Sequence, residues 1–297
     1  MSPNSAILPF DRDKMRAAFE AAVDSYDAAA QMQREIGSRL FERLELLKIQ
    51  PQVVVDLGCG TGYFTTRLQQ RYPKSTLVAL DIAHSMVAKT RSQFSWLQRT
   101  FSKHHYICAD AERIPLADAS CDLIFSNLTF QWCHDLQKLF SEIQRILKPG
   151  GVLMFATLGP DTLYELRKSW SQVDDKVHVN QFVDMHDIGD AMIHSGLGDP
   201  VIDMEKLVMT YEDVMLLMKD IKAIGAHNVN VGRHVGLTGR GTIRAMQQAY
   251  EQYKNEEGFY PVTYEAIYGH AWKGEKRIQK DSGEFAIGVD AIGRANG

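Results

Sequence analysis

The sequence predicts an α/β fold: a doubly wound, mostly parallel, Rossmann-like sheet of seven strands, with N-terminal helices before it and a helical insertion before its last strand. Three observations predict it. Short apolar runs alternate with amphipathic helical stretches from Val53 onward, a glycine-rich loop follows the first run directly, and four successive runs lead into polar residues.

The elements follow in order. Over residues 13–48 the apolar positions Met15, Ala18, Phe19 and Ala22, then Ile36, Leu40, Leu44 and Leu47, recur at helical spacing, with a break around Asp24 to Ala28. The period then changes to the runs Val53–Val55, Thr76–Leu80, His105–Cys108, Leu123–Phe125 and Val152–Phe155. None alternates cleanly with polar residues, so each reads as a strand buried on both faces. Helical stretches lie between them at Tyr63 to Arg71, Met86 to Gln98 and Leu136 to Leu147, the last closed by Lys148-Pro149-Gly150-Gly151. Further helices are predicted at Asp161 to Trp170 and His186 to His194, then a strand at Val201 to Met209. Two helices, Glu212 to Ile224 and Gly241 to Lys254, precede an aromatic strand at Val262 to Trp272. The chain therefore divides into an N-terminal helical lid (1–48), a main domain (49–273) with an insertion at about 210–260, and a poorly ordered glycine- and charge-rich tail (274–297).

Composition excludes several classes of partner. The 297 residues carry a net charge of −4 with scattered lysines and arginines, which gives no basic face for nucleic acid. Residues Met1 to Asp13 have no charged start leading into an apolar run, and no segment approaches the roughly 20 apolar residues of a membrane span. The reading is a cytoplasmic protein with no membrane partner. Cys59, Cys108, Cys121 and Cys133 form no CxxC pair and have no histidines at metal-ligand spacing, so no metal is predicted.

The chemistry lies at the strand ends. Asp56-Leu57-Gly58-Cys59-Gly60-Thr61-Gly62 has glycines that let a ligand lie against the backbone, but its GxGxG spacing differs from the GxGxxG of dinucleotide sites. A carboxylate at Asp56 suits a ligand ammonium and would repel a pyrophosphate. Asp81 ends the second run, either accepting ribose hydroxyls or capping the next helix. Ile82 and Met86 offer apolar surfaces for an adenine, Asp110 and Ala111 a carboxylate and an amide for its edge. Asn127 and Gln131 follow the fourth run.

This combination resembles the class I methyltransferases over roughly residues 50–160, which implies S-adenosylmethionine as cofactor. The resemblance places Asp56, Gly58 and Gly60 at its methionine portion, Asp81 at the ribose, and Asp110 with Ala111 at the adenine. A closer resemblance spans nearly the whole chain up to Lys273. Tyr26-Asp27-Ala28-Ala29-Ala30, Gln33-Arg34-Glu35-Ile36-Gly37, Gln131-Trp132, Gly159-Pro160-Asp161-Thr162-Leu163, Asp184-Met185-His186-Asp187-Ile188-Gly189-Asp190 and Ile224-Gly225-Ala226-His227-Asn228 look like the malonyl-acyl-carrier-protein O-methyltransferases of biotin synthesis. The implied reaction is esterification of the free malonyl carboxylate on an acyl carrier protein. It also implies that the segment containing Tyr26 closes over the cofactor; a core aromatic is the other reading of that residue.

A carboxylate is ionised at neutral pH and a sulfonium methyl is already activated, so such a transfer needs alignment rather than a general base. A carboxylate brought into a dry pocket does need a cation or donors. The insertion supplies Lys219, Lys222, His227, Asn228 and Arg233 as candidates. Taken singly, the lysines read better as a solvated helix face and His227 as a structural histidine. It is their clustering in a segment the core fold does not require that argues for a site, with Lys222, His227 and Arg233 the leading three. Gln131 and Trp132 are candidates for the wall of the transfer site. Two rivals stand beside this reading: a methyltransferase-like assembly factor for respiratory complexes, and a quinone or other small-molecule methyltransferase of the same fold.

Overall fold

A computed structural model describes residues 10–101, 103–226, 228 and 239–274. Three helices, α1 (Arg12–Ala22), α2 (Tyr26–Ala29) and α3 (Gln31–Arg43), precede the sheet. Then come β1 (Val53–Leu57), α4 (Tyr63–Arg71), β2 (Thr76–Asp81), α5 (His84–Ser92), α6 (Trp96–Phe101), β3 (His104–Cys108) and β4 (Cys121–Asn127). They are followed by α7 (Leu136–Ile146), β5 (Leu147–Leu158), α8 (Tyr164–Ser171), α9 (Met185–His194) and β6 (Gly198–Tyr211). The described chain closes with α10 (Val214–Ala223), α11 (Arg240–Tyr250) and β7 (Tyr260–Trp272). Aspartates start several helices by accepting early backbone N–H groups: Asp11 in α1, Asp135 in α7, Asp184 in α9 and Asp213 in α10.

The seven strands form one sheet in the order β3-β2-β1-β4-β5-β7-β6, with only β7 antiparallel to its neighbours. Strand order reverses between β1 and β4. In such sheets the crevice beyond the carboxyl ends of those two strands is where ligands bind.

Apolar side chains fill both faces of the sheet. On one, Ile36, Leu40 and Leu44 from the N-terminal region are fully buried with Phe64, Phe125 and Tyr268. On the other, Leu139, Phe140, Ile143 and Ile146 make one stripe of α7 and meet Phe130 and Phe155. Thus α3, within the segment read from sequence as a lid, packs into the core layer.

Three expectations are corrected. β3 is half exposed rather than buried, because it forms one edge of the sheet. The helix predicted from Met86 to Gln98 is two helices: the chain leaves α5 at Gln93, and Ser95 and Gln98 cap the start of α6 reciprocally, each backbone N–H donating to the other's side chain. Lys148-Pro149-Gly150-Gly151 does follow the end of α7, whose C-cap is Leu147, and these residues also open β5, where the pairing to β4 shifts between Cys121 and Leu123. Asp161 to Leu163 lie in turns rather than in the predicted helix, and α8 begins only at Tyr164. The two insertion helices do fall between the last two strands, as α10 and α11. Of the predicted tail, residues 275–297 lie outside the described residues, as do His227 and Arg233 of the insertion. Among the described residues no helix is long and apolar enough to cross a membrane.

Candidate active site

The glycine loop turns on left-handed backbone, with φ of 82° at Gly58, 53° at Gly60 and 92° at Gly62. Gly58 and Cys59 both donate their N–H to the Leu80 carbonyl, at 2.7 and 3.0 Å, which ties the loop to the end of β2. A Cβ on Gly58 would strike Thr129 Oγ1 at 1.8 Å, whereas one on Gly60 would meet nothing within 4 Å. Gly58 therefore serves packing, and Gly60 presents bare backbone to open space.

Asp81 completes this loop. Its Oδ2 accepts from Gly60 N at 3.0 Å and its Oδ1 from Ala83 N at 2.9 Å. Each oxygen keeps a further lone pair for a ligand hydroxyl, so the ribose and helix-start readings of Asp81 are compatible. Burial raises the pKa of this carboxyl, although the two backbone N–H donors oppose it.

Asp56 is 2% exposed and accepts from Thr65 Oγ1 at 2.5 Å. Burial pushes its carboxyl up to about 7, partly opposed by the Thr65 bond and reinforced by the nearby Asp81 charge. Beside it are two buried acceptors with no donor, Gln33 Oε1 and Asn127 Oδ1; the Asn127 amide nitrogen donates to the Gln33 carbonyl at 2.9 Å. Asp56, Gln33 and Asn127 border one small cavity with Gly58 and Gly60. Two buried acceptors without donors, beside a carboxyl that has one hydroxyl donor, fit an ammonium.

A larger space, about 650 Å³ with its open mouth, adjoins it, bordered by Gly58, Gly60, Asp81, Ile82, Met86 and Asn127. Asp110 and Ala111 lie on the same cavity. The structure therefore gathers the residues that sequence assigned to a cofactor around two neighbouring spaces, with Asp56 in the smaller.

Sequence reasoning missed the contribution of α1. Arg12 bonds Asp110 at 2.7 Å and also Glu112, and its Nε donates to His134 Nδ1 at 2.8 Å. Glu20, at the other end of the helix, accepts from the backbone N–H groups of His84 and Ser85 at 2.6 and 2.8 Å, capping α5. The helix thus straps across the ends of β2 and β3, and Met15 and Phe19 reach the cavity. Partners 98 and 100 residues away leave no local signal in sequence.

A second chamber, about 770 Å³ with its open mouth, meets the first at Phe19, Tyr26, Leu128 and Trp132, which border both. Tyr26 borders all three spaces. Burial, with the charges of Asp81 and Asp27, holds its hydroxyl far above the ordinary tyrosine range, so it stands there as a neutral phenol. Gln131 lines the second chamber and is pinned at both ends, donating to the Leu128 carbonyl at 2.7 Å and accepting from Thr157 Oγ1 at 3.0 Å. The remaining wall is largely apolar, with Leu158, Leu163 and Leu166 on one side and Ile221 and Ile224 on another.

Lys222 is exposed and does not line this chamber, because Ile221 and Ile224 occupy the inward positions of their helical turn. The expectation that it reaches into the pocket is therefore not met.

The family model for a methyltransferase domain matches residues 55–155. Among solved structures, the YcgJ protein of Bacillus subtilis is similar with a TM-score of 0.55 and 17% identity, covering 80% of this chain and 98% of that one. Phosphoethanolamine N-methyltransferase 2 of Haemonchus contortus, solved with S-adenosyl-L-methionine, is similar at a TM-score of 0.52 and 16% identity, over 86% of this chain and 57% of its own. Those likenesses show the fold. Sequence relatives go further. A malonyl-[acyl-carrier protein] O-methyltransferase from a Methylovorus species is 51% identical over 92% of this chain and 93% of its own length. One from Halorhodospira halophila is 41% identical over 99% of both. The chain belongs to the malonyl-acyl-carrier-protein O-methyltransferase family.

Proposed function

We propose that the protein transfers a methyl group from S-adenosylmethionine to the free carboxylate of malonyl-acyl-carrier protein, an ester-forming step that the resemblance set out above ties to biotin synthesis. The observation that carries the reading, given the family, is the meeting of two chambers at Phe19, Tyr26, Leu128 and Trp132: one edged with acceptors, the other largely apolar.

In this reading Asp56, Gln33 and Asn127 hold the cofactor ammonium. Gly60 lets its backbone lie close, Asp81 takes the ribose hydroxyls, and Ile82, Met86, Asp110 and Ala111 surround the adenine. When bound, S-adenosylmethionine supplies an activated methyl group. The chain then has to align and to dry the site. Holding the acceptor oxygen in line can contribute several kcal/mol, roughly 7–11 at most, through orientation alone. Phe19 on α1 and Tyr26 on α2 close the space between the chambers as a lid, and Gln131, fixed at both ends, walls the transfer site. Lys219 and Lys222, exposed on α10, are assigned to meeting an acidic carrier outside the chamber.

Methyl-labelled cofactor incubated with malonyl-loaded, acetyl-loaded and empty carrier tests the reading. Base-labile label on the malonyl carrier alone is the expected result, and no label on any carrier would overturn it. Neither the quinone reading nor the respiratory assembly reading gains an observation from this geometry.

A further inference from the structure

The second chamber poses a problem of charge. If the substrate enters as a carboxylate, as the function proposed above requires, something must compensate that charge inside a largely apolar wall. Among the described residues lining the chamber, His178 is the one side chain that can carry positive charge.

His178 is held from two directions. Its ring lies flat on Trp170, with centroids 3.8 Å apart and planes 10° from parallel. Its Nε2 is 2.8 Å from Asp174 Oδ1, and the two side chains are 16% and 22% exposed. Asp174 Oδ1 also accepts from Lys176 N at 3.0 Å, so the carboxylate is itself fixed. With Nε2 committed to Asp174, Nδ1 is the nitrogen left for a ligand, and in the imidazolium form both nitrogens donate.

Two residues on, Asn180 lines the same chamber, and its Oδ1 is buried with no partner. The two ends of an asparagine amide are interchangeable by a flip, so this position can present an N–H as well as an oxygen. A buried polar atom without a partner, in the chamber that the doubly braced imidazole also lines, is not explained by packing.

We infer that His178, positioned by Asp174 and Trp170 and assisted by Asn180, receives the free carboxylate of the substrate and is the residue that distinguishes a malonyl from an acetyl group. The imidazole ring then lies between two carboxylates, one its own and one the substrate's. Methylation converts the substrate's carboxylate into a neutral ester, so the attraction that drew the acid in is absent from the product. An acetyl group brings no charge, and a site built around that charge rejects it because its donors would stay unpaired.

The test compares binding of a short malonyl thioester with binding of its methyl ester, to enzyme holding S-adenosylhomocysteine, by calorimetry. Wild-type enzyme should prefer the acid by about tenfold or more, and His178→Gln should reduce that preference to less than about threefold while leaving ester affinity unchanged. A variant that weakens acid and ester alike with the preference intact, or wild-type enzyme with no preference, would overturn the inference. A second measurement needs no variant to fold: in wild-type protein labelled with nitrogen-15 histidine, the acid but not the ester should shift one imidazole signal, and no such shift would equally overturn it. Failure of the function itself is separable, since it would appear as absence of methyl transfer by the wild-type enzyme.

Discussion

The two chambers are built on different principles. The cofactor side is made from the ends of regular strands, and its polar groups are braced by backbone: Asp81 by Gly60 and Ala83, the glycine loop by the Leu80 carbonyl. The proposed substrate side is made mostly from what lies outside the sheet, namely α1 and α2, α8 with the irregular stretch that follows it, and the insertion at α10, with Leu158 of β5 and Tyr264 of β7 as its strand residues. Strand ends are fixed in space by ladder pairing, so they hold a cofactor common to a whole fold. Segments between elements are free to vary, and the proposed function assigns substrate choice to them.

Deleting residues 1–30 should break this comparison most severely. It removes Phe19 and Tyr26 from the junction and the Arg12 strap, yet leaves α3 in the core. Turnover should fall by roughly a hundredfold or more. The far-ultraviolet circular dichroism and a cooperative melt should persist; a truncated protein with full activity would show that the two chambers do not depend on α1 and α2.

Asp81→Ala comes next and strikes the cofactor side alone. Loss of a charge-assisted acceptor should weaken S-adenosylhomocysteine binding by about 1.5–3 kcal/mol. Because Asp81 also braces Gly60 and Ala83, the melting temperature should drop as well. Unchanged affinity in calorimetry would remove Asp81 from the site.

Asp56 sharpens the comparison through pH. Its folded carboxyl is pushed up to about 7, above its ordinary 3.8, so the folded state holds a proton that the unfolded chain releases. Its contribution is therefore fully present below about pH 4 and lost as pH rises through about 7. For the ligand-free protein, Asp56→Asn should flatten the decline in melting temperature between pH 5 and pH 8, within roughly 1–3 kcal/mol. The same variant should weaken cofactor binding, and an unaltered pH dependence would count against the burial argument.

The smallest effect should come from Lys222→Ala. An exposed docking charge affects carrier encounter and little else. The Michaelis constant for malonyl carrier should rise about two- to fivefold with a flatter salt dependence, with a small malonyl thioester turned over as before. A large loss with the small thioester would return Lys222 to the chamber.

What was legible in the sequence divides along the same line. β1, β2 and the glycine loop follow from local pattern, since a buried parallel strand writes its burial into consecutive residues. Asp56, Asp81 and Asn127 could be picked out because each falls within or at the end of such a strand. β3 misleads because edge position is a property of the sheet, which its own residues do not record. On the substrate side, His178 and Asn180 sit in a stretch with no period, and the partners of His178 are four and eight residues back. Lys222 has the charge and the place in the insertion, but the helical phase set by its apolar neighbours Ile221 and Ile224 turns it outward.

Asp56 has one more consequence. Near neutrality an empty site with a carboxyl near 7 is divided between its acid and its ionised form. A ligand arriving with an ammonium selects the ionised form, so occupancy at pH 7 expels a fraction of a proton into solution. Heats of binding measured there then contain the ionisation heat of the buffer, and titrations in phosphate and in Tris should differ by that fraction multiplied by the difference between the two buffers. The cofactor pocket in this sense carries its own proton counter.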